Sequence, residues 1–238
     1  MKLRGFLKGC LHAATFFICF SLLIVLAYKW MPVPWTPLMF IRAVQDSGED
    51  QTGPRHDWVK GARIPNNLQL AVVCAEDQNF LKHHGFDFEQ IQHAMEDAEA
   101  GKRVRGASTI SQQTAKNIFL WPTSSWARKG FEVWFTFLIE LFWSKERIMT
   151  VYLNSIEFGK GVYGCEAASK NFFKKSVGYL NDSEAARLAA VLPNPHRLRA
   201  DKASAYLVKR QRWVLRQMQL WGGKLEYEKG KKPGSNEK

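Results

Sequence analysis

The chain has 238 residues, of which 46% are hydrophobic, and a formal net charge of +12. This length is sufficient for one domain with a substantial core and an additional segment. A basic protein has acidic partners, such as lipid headgroups, phosphate-bearing substrates or nucleic acid. Because the sequence has no zinc-finger, zipper or aromatic RNA-binding pattern, we expect no nucleic-acid partner and favour phosphate carried on a lipid.

An apolar segment near the N-terminus is long enough to cross a membrane. Residues 11–28 carry no formal charge apart from any on His12, and the flanking residues extend the run to a helix that can cross roughly 30 Å of hydrocarbon. A cleaved signal peptide is the alternative. Because no A-x-A cleavage site follows the apolar run, we expect an uncleaved transmembrane anchor over residues 11–30.

The charges around the anchor predict its orientation. Lys2, Arg4 and Lys8 precede the apolar run. Basic residues stay on the cytoplasmic side of a membrane, so residues 1–10 are expected to form a cytoplasmic stub. Everything after Lys29 should then lie outside the cytoplasm.

The remainder of the chain divides into a linker, a domain and a tail. Residues 31–64 form a membrane-proximal linker that is rich in proline at its start and polar, with turn residues, over 45–58. The patterns over residues 65–225 are helical, and no alternating strand or hairpin signal interrupts them. We therefore predict a mainly α fold, followed by a disordered tail over residues 226–238, where apolar residues are few.

Two of the four cysteines lie after the anchor. Cys74 and Cys165 would lie in an oxidising compartment if the predicted orientation is right, which leaves one disulfide open. Each cysteine stands in a run of apolar or small residues, so we favour two small buried side chains instead. Their spacing does not suit a metal site.

The stretch GASTISQQTAKN contains many uncharged hydrogen-bonding groups and one cation. Thr109 and Gln112 fit a capping box, which places a helix N-terminus at Ser108 or Thr109. A helix N-terminus suits an anion, and Ser108, Gln112 and Lys116 recur on one face. Three further cations stand just upstream: Lys102, Arg103 and Arg105. A solvated helix face with an ordinary cap is the alternative interpretation.

A second polar pattern lies on an apolar helix. FEVWFTFLIELFW is apolar apart from Glu132, Thr136 and Glu140, which are spaced by four and therefore lie on one line. A buried carboxylate needs a partner, and Arg128 stands four residues before Glu132. The pair is either a core ion pair or part of a charged site.

Two carboxylates end a third apolar segment, CAEDQNFLKHHGFD. Desolvation at Glu76 and Asp77 would disfavour the charged form, and such a group can act as a general base near neutral pH. The spacing of His83, His84 and Asp87 matches no common zinc pattern, so we predict no metal site here.

Five stretches together resemble a known family. In chain order, the following stretches are similar to the five motifs of the peptidoglycan glycosyltransferases of glycosyltransferase family 51: AEDQNFLKHHGFD, RGASTISQQTAKN, RKGFE, KERIMTVYLNSIEFGKGVYGCEAA and SEAARLAAVLPNP. The resemblance covers about residues 65–200. It implies a lysozyme-like, all-α domain that polymerises lipid II into glycan strands at the outer face of the bacterial inner membrane. With no room for a transpeptidase domain, a monofunctional enzyme is expected.

The resemblance also assigns roles to residues. Glu76 would be the catalytic base that takes a proton from the acceptor 4-hydroxyl. Glu132 would be a second catalytic carboxylate, which orients Arg128 or a metal ion while the diphosphate leaves. The substrate-binding residues implied are Ser108, Gln112, Gln113, Lys116, Arg128 and Lys129.

The family's partners are lipid II, the growing glycan strand and the membrane, and cell-wall or division proteins are further candidates. No cofactor is required by the sequence, although a divalent cation, Mg²⁺ or Mn²⁺, remains open. A lysozyme-like lytic transglycosylase and a non-catalytic cell-wall scaffold are the alternative functions.

Some positions depart from the family pattern or have two interpretations. Ser124 stands near a position where the family often has Arg. Tyr152, Asn154 and Gly159 match their motif. Either packing or substrate contact would account for these three residues.

Overall fold

The computed structural model describes residues 2–46, 54–102 and 108–227. Ten α-helices account for most of these described residues: α1 (Lys2–Tyr28), α2 (Pro37–Asp46), α3 (Asn66–Glu76), α4 (Phe88–Glu99), α5 (Ile110–Phe119), α6 (Trp126–Phe142), α7 (Lys145–Ser155), α8 (Cys165–Phe173), α9 (Asp182–Val191) and α10 (Ala205–Leu220). The prediction of a mainly α fold is confirmed.

A small three-stranded sheet corrects the expectation that the chain has no strands. Strand β1 (Arg55–His56) falls inside the stretch predicted as a loop, and β2 (Glu157–Gly159) and β3 (Val162–Tyr163) form a hairpin. The central strand β3 is parallel to β1 and antiparallel to β2. Strands of two or three residues are too short to show an alternating pattern, so the sequence gives no signal for them.

The core is built from two groups of helices. The first group packs α3 against α9 and α10, and the second packs α5 against α6 and α7. Helix α3 is buried on several sides, through Leu68, Leu70, Ala71, Val72, Val73 and Cys74. An apolar helix of this kind belongs inside the core. Its last residue, Glu76, contacts Gln113 of α5 and so lies beside the second group.

The carboxylate of Asp77 joins the two groups. Asp77 Oδ2 accepts a hydrogen bond of 2.9 Å from the backbone N–H of Ile110, the first residue of α5. Nε2 of His83 lies 3.0 Å from both carboxylate oxygens of Asp77. Thr109 Oγ1 donates to the carbonyl of Gly85 at 2.7 Å, and Gly85 has a φ of +93°, which favours glycine. The loop after α3 and the start of α5 are therefore held together.

Helix α1 has the length and composition of a membrane span over 25 residues, Arg4–Tyr28, and no other helix in the described part of the chain does. Its C-terminal half packs against α6. The indole N–H groups of Trp134 and Trp143 donate to Ser21 Oγ and to the carbonyl of Val25, at 3.1 and 2.8 Å. Since Ser21 and Val25 are fully buried, this half of α1 is part of the packed structure.

Cys74 and Cys165 are both free and buried, which confirms the preference for small buried side chains over a disulfide. Burial raises the pKa of the Cys74 thiol to about 11. Burial also raises the pKa of Cys165, to about 12. Both thiols are therefore protonated near neutral pH.

The C-terminal end of the domain folds back onto α3. The hydroxyl of Tyr227 donates to Gln69 Oε1 at 2.6 Å. Of the tail predicted over residues 226–238, only the first two residues are described, and residues 228–238 lie outside the described part. The described chain thus packs on the domain up to Tyr227.

Asn154 has a structural role. Its side chain accepts from the backbone N–H of Val59 at 2.8 Å and donates to the carbonyl of Val59 at 3.0 Å. It also donates to the carbonyl of Thr150 at 2.8 Å, and it is fully buried. Asn154 therefore satisfies backbone groups of the linker that have no access to water.

We expect Asn154→Ala to lower the free energy of unfolding by about 1–3 kcal/mol, because it leaves buried backbone groups of Val59 without a partner. Urea unfolding of the full chain in detergent, followed by tryptophan fluorescence, measures this loss. Asn194→Ala is the control, since Asn194 is exposed. Equal stability of the two variants would contradict the structural role of Asn154.

Candidate active site

The start of α5 forms the capping box that the sequence predicts. Thr109 Oγ1 accepts from the backbone N–H of Gln112 at 3.2 Å, and Gln112 Oε1 accepts from the backbone N–H of Thr109 at 3.0 Å. Gln112 is buried, so its side-chain carbonyl serves the cap. Ser108, the residue before the cap, is exposed.

Glu76 lies beside the next turn of α5. Its Oε2 accepts from Gln113 Nε2 at 3.1 Å, and Gln113 Oε1 accepts from the hydroxyl of Tyr152 at 3.0 Å. On the other side, Arg210 Nη2 lies 3.5 Å from Glu76 Oε1. Burial raises the pKa of Glu76, while the hydrogen bond from Gln113 and the charge of Arg210 oppose this effect.

Tyr152 keeps its proton in this arrangement. Burial raises the pKa of Tyr152 well above its usual value, and the nearby carboxylates of Glu76 and Asp77 act in the same direction. The neutral hydroxyl is a donor, so it fixes Gln113 with the carbonyl towards Tyr152 and the amide towards Glu76.

A cleft of about 260 Å³ opens at the end of α3. Glu76, Asp77, Ser108 and Trp213 are among the residues that line it. The side chain of Trp213 is 38% exposed, so an aromatic surface is available to a ligand beside the Glu76 carboxylate.

A cluster of cations lies on α6. Glu132 is buried, and its Oε2 accepts from Arg128 Nη1 at 2.8 Å. Glu132 Oε1 is ion-paired with Lys129 Nζ. The buried Nε of Arg128 has no hydrogen-bond partner among the residues that the structure describes. The core ion pair considered from the sequence therefore exists, and it leaves a donor that a ligand could use.

Lys116 interacts electrostatically with both the cation cluster and Glu76. Burial lowers the pKa of the Lys116 ammonium; the Glu132 carboxylate opposes this, and the positive charges of Arg128 and Lys129 add to it. Lys116 also stands one turn after Gln113 on α5, and its charge acts on Glu76. An anion bound among these cations would favour the charged form of Lys116.

The two glutamates have separate partners. Glu76 contacts Gln113 and Arg210, whereas Glu132 contacts Arg128 and Lys129. These two carboxylates therefore do not form a dyad that shares one proton. Most of the site residues predicted from the sequence come together around α5 and α6: Glu76, Glu132, Gln113, Lys116, Arg128 and Lys129.

Two other residues of the same motifs, Glu140 and Gly159, have structural roles. Glu140, the last residue of the polar line on α6, pairs with Lys145 at 2.8 Å and accepts from Ser111. A Cβ on Gly159 would come within 2.8 Å of the Phe172 ring, so this glycine is required by packing. The upstream cations at 103 and 105 lie outside the described residues.

The described residues contain no group of three or more His, Cys, Asp or Glu side chains that could hold a metal ion. His83 pairs with Asp77, as described above. Asp87 caps α4 by accepting from the backbone N–H of Gln90 at 3.0 Å.

Helix α10 contributes residues that the sequence analysis missed. Arg210 reaches Glu76 and Trp213 lines the cleft, while Gln217 accepts from Gln78 at 3.3 Å. These three residues recur at a spacing of three and four, which places them on one face of the helix. That spacing was visible in the sequence, but nothing local indicates that this face meets the end of α3.

Comparison with known proteins agrees with the geometry of the site. The family model described as transglycosylase matches residues 44–219. A biosynthetic peptidoglycan transglycosylase of Bacteroides thetaiotaomicron is 53% identical over 222 residues, which cover 92% of this chain and 89% of that protein. The protein of the same name from Bdellovibrio bacteriovorus is 53% identical over 209 residues, covering 87% of this chain and 84% of that protein. The Ectopseudomonas mendocina protein of this name is 46% identical over 222 residues, which cover 93% of this chain and 92% of that protein.

The matched segment contains the cation cluster and the whole cleft, whose lining runs from Cys74 to Trp213. The chain therefore belongs to the transglycosylase family, whose domain has the lysozyme-like fold of glycosyltransferase family 51.

Proposed function

We propose that this chain polymerises lipid II into glycan strands, by a transfer that inverts the anomeric carbon and releases polyprenyl diphosphate. It is a peptidoglycan glycosyltransferase of cell-wall synthesis, in line with its family and its relatives. The observation that carries the proposal is the placement of a partly buried carboxylate with a raised pKa, Glu76, next to a group of cations on α5 and α6.

Glu76 acts on the acceptor sugar. Its carboxylate takes the proton of the acceptor 4-hydroxyl, and the oxygen attacks the anomeric carbon of the donor. A base works best when its pKa is close to the working pH, and burial moves the pKa of Glu76 in that direction. Gln113 and Arg210 hold the carboxylate towards the cleft from two sides.

The cations act on the leaving group. When the new glycosidic bond forms, the bond between the donor sugar and the diphosphate breaks, and the diphosphate keeps the electron pair. Lys116, Arg128 and Lys129 stabilise this charge, since charge-assisted contacts to phosphate are among the strongest hydrogen bonds. Glu132 keeps Arg128 and Lys129 in position.

Ser108 and Gln112 have different places in this scheme. Ser108 lines the cleft and can donate its hydroxyl to the substrate. Gln112 supports the substrate site indirectly, through the capping box that fixes the start of α5. If Mg²⁺ or Mn²⁺ takes part, the oxygens of the diphosphate would hold it and it would add charge neutralisation there, because the Glu132 carboxylate already pairs with two cations.

We further propose that α1 is an uncleaved, single-pass anchor in the bacterial inner membrane, with the domain on the periplasmic side. The basic residues before the apolar run and the packing of α1 on α6 support this arrangement. Val133, Phe137 and Leu141 add an exposed apolar row to α6, the helix on which α1 docks. The membrane is thus a partner together with lipid II and the glycan strand, and cell-wall or division proteins are proposed as further partners.

We expect Glu76→Gln to reduce polymerisation of lipid II by about 100-fold or more, because the variant keeps the shape of the side chain and loses the base. Separation of the polymer formed by the full chain in detergent measures the rate. The control is Glu226→Gln, at an exposed glutamate. Near-normal polymerisation by Glu76→Gln would refute the mechanism. Cleavage of finished peptidoglycan, with no polymer made, would favour a lytic enzyme. A wild type with neither activity would favour a scaffold.

The rate should also report the pKa of Glu76. Only the carboxylate form accepts a proton, so the rate rises with pH through this pKa, and the acid limb should lie above the range of an ordinary glutamate, about 4.3. Arg210→Gln removes a positive charge that favours the carboxylate and should move the acid limb to higher pH. The control is Arg216→Gln, at an exposed arginine on the same helix. A limb that stays in place or moves to lower pH in Arg210→Gln would contradict the assignment.

The orientation of the anchor can be tested separately. A reporter enzyme that is active only outside the cytoplasm, fused after Lys238, should be active in intact cells. The same reporter fused before residue 2 should be silent. Activity of the N-terminal fusion instead would overturn both the orientation and the periplasmic location.

A further inference from the structure

Arg42 lies on α2, between the anchor and the domain. It stands two residues before position 44, where the match to the family begins. Helix α2 packs against α5, the helix that carries Lys116, and Met39 is fully buried. The position of Arg42 is therefore fixed by packing, although the residue lies outside the matched segment.

The Arg42 side chain is held by a buried carboxylate. Arg42 Nη1 is ion-paired with Glu157 Oε2, and Glu157 is 4% exposed. His196 Nε2 lies 3.1 Å from the same carboxylate oxygen and 2.8 Å from Arg42 Nη1. Glu157 Oε1 accepts from the backbone N–H of Gly161 at 3.1 Å, which fixes the carboxylate itself. The Arg42 side chain is 28% exposed, so the guanidinium remains accessible to a ligand.

This arrangement repeats the one on α6. Glu132 is a buried carboxylate that holds Arg128 and Lys129, and Glu157 is a buried carboxylate that holds Arg42. The positive charge of Arg42 acts on Lys116 in the same direction as those of Arg128 and Lys129. Helix α2, which carries Arg42, packs against α5, which carries Lys116, so both groups lie beside the same helix.

The charges of the combined group suit a diphosphate. Four cations and two carboxylates leave two positive charges when His196 is neutral. A diphosphate that links a sugar to a polyprenyl chain carries two negative charges. Cations gathered at one place repel each other, and a bound diphosphate would remove that repulsion.

We propose that Arg42 is a binding residue for the diphosphate of the lipid substrate, and that the helix linking anchor and domain thereby forms part of the donor site. The proposal rests on the proposed function, since it assumes a substrate whose diphosphate occupies the cation group. A domain cut at the start of the family match would lack this cation as well as its anchor.

The test measures binding of a polyprenyl diphosphate to the full chain in a nonionic detergent that contains no phosphate. Arg42→Gln, Glu157→Gln and the double variant are compared with the wild type. The control pair is Lys175→Gln with Glu184→Gln, which removes an ion pair of 2.6 Å in which the side chains are 30% and 22% exposed. The uncharged polyprenol serves as the ligand control.

We expect Arg42→Gln to weaken diphosphate binding by about tenfold or more, the size of one lost charge-assisted contact. The polyprenol should bind all variants equally. If Arg42 only neutralised Glu157, the double variant would recover both stability and diphosphate binding, because no buried charge would be left unpaired. We expect it to recover thermal stability but to bind the diphosphate as weakly as Arg42→Gln. Wild-type binding by the double variant, or by Arg42→Gln itself, would overturn the proposal.

Two further comparisons separate the causes of failure. Vesicles of phosphatidylglycerol present a lipid headgroup phosphate in place of the diphosphate. A loss of binding in Arg42→Gln that occurs only with these vesicles would assign Arg42 to the membrane surface and overturn the proposal.

Polymerisation of lipid II by the wild type is measured separately. If the wild type polymerises and Arg42→Gln binds normally, only this inference fails. If the wild type makes no polymer while Arg42→Gln loses diphosphate binding, the diphosphate site stands and the proposed function fails.

Discussion

The Asp77 carboxylate is the interaction on which the site depends. It accepts from the first backbone N–H of α5 while His83 lies against its two oxygens, so the end of α3 is fixed to the start of α5. Glu76 is the residue before Asp77, and it must therefore lie alongside α5. Without this link, Glu76 at the end of α3 and the cation of Lys116 on α5 would belong to separately packed groups of helices. A buried hydrogen bond to a carboxylate is well suited to this task, because leaving either group unpaired is costly.

The two glutamates of the site differ in what surrounds them. Glu76 is desolvated and receives one hydrogen bond from a neutral amide and a longer contact from Arg210, so burial dominates and its pKa is raised. Glu132 is more deeply buried, and it is paired directly with Arg128 and Lys129. A carboxylate with a raised pKa can exchange a proton, whereas one paired with two cations keeps those cations in place. The two glutamates differ only in environment, because packing places cations beside Glu132 and a neutral amide beside Glu76.

The sequence predicted those features of the site that are local along the chain. The capping box of Thr109 and the pair of Arg128 with Glu132 depend on residues three or four apart, and helix geometry then fixes the contact. The contacts of Arg210 with Glu76 and of Arg42 with Glu157 join residues more than 100 positions apart. No spacing rule predicts such contacts, because they depend on how α10 and α2 pack. The short strands were missed for a related reason: they are defined by pairing with distant residues and not by a pattern of their own.

Helix α1 packs on the helix that carries part of the cation cluster. The last turns of α1 dock on α6, and α6 also carries Arg128 and Lys129. Helix α2, which follows the anchor in the chain, packs against α5 and so lies beside the helix that carries Lys116. A substrate whose polyprenyl chain remains in the bilayer can bring its diphosphate only to a site close to the membrane surface. The packing of α1 on α6 and of α2 on α5 places the cation group close to the proposed anchor. Helix α5 also carries Gln113, which contacts Glu76 in the cleft, so the proposed substrate would meet the cations and Glu76 along one helix.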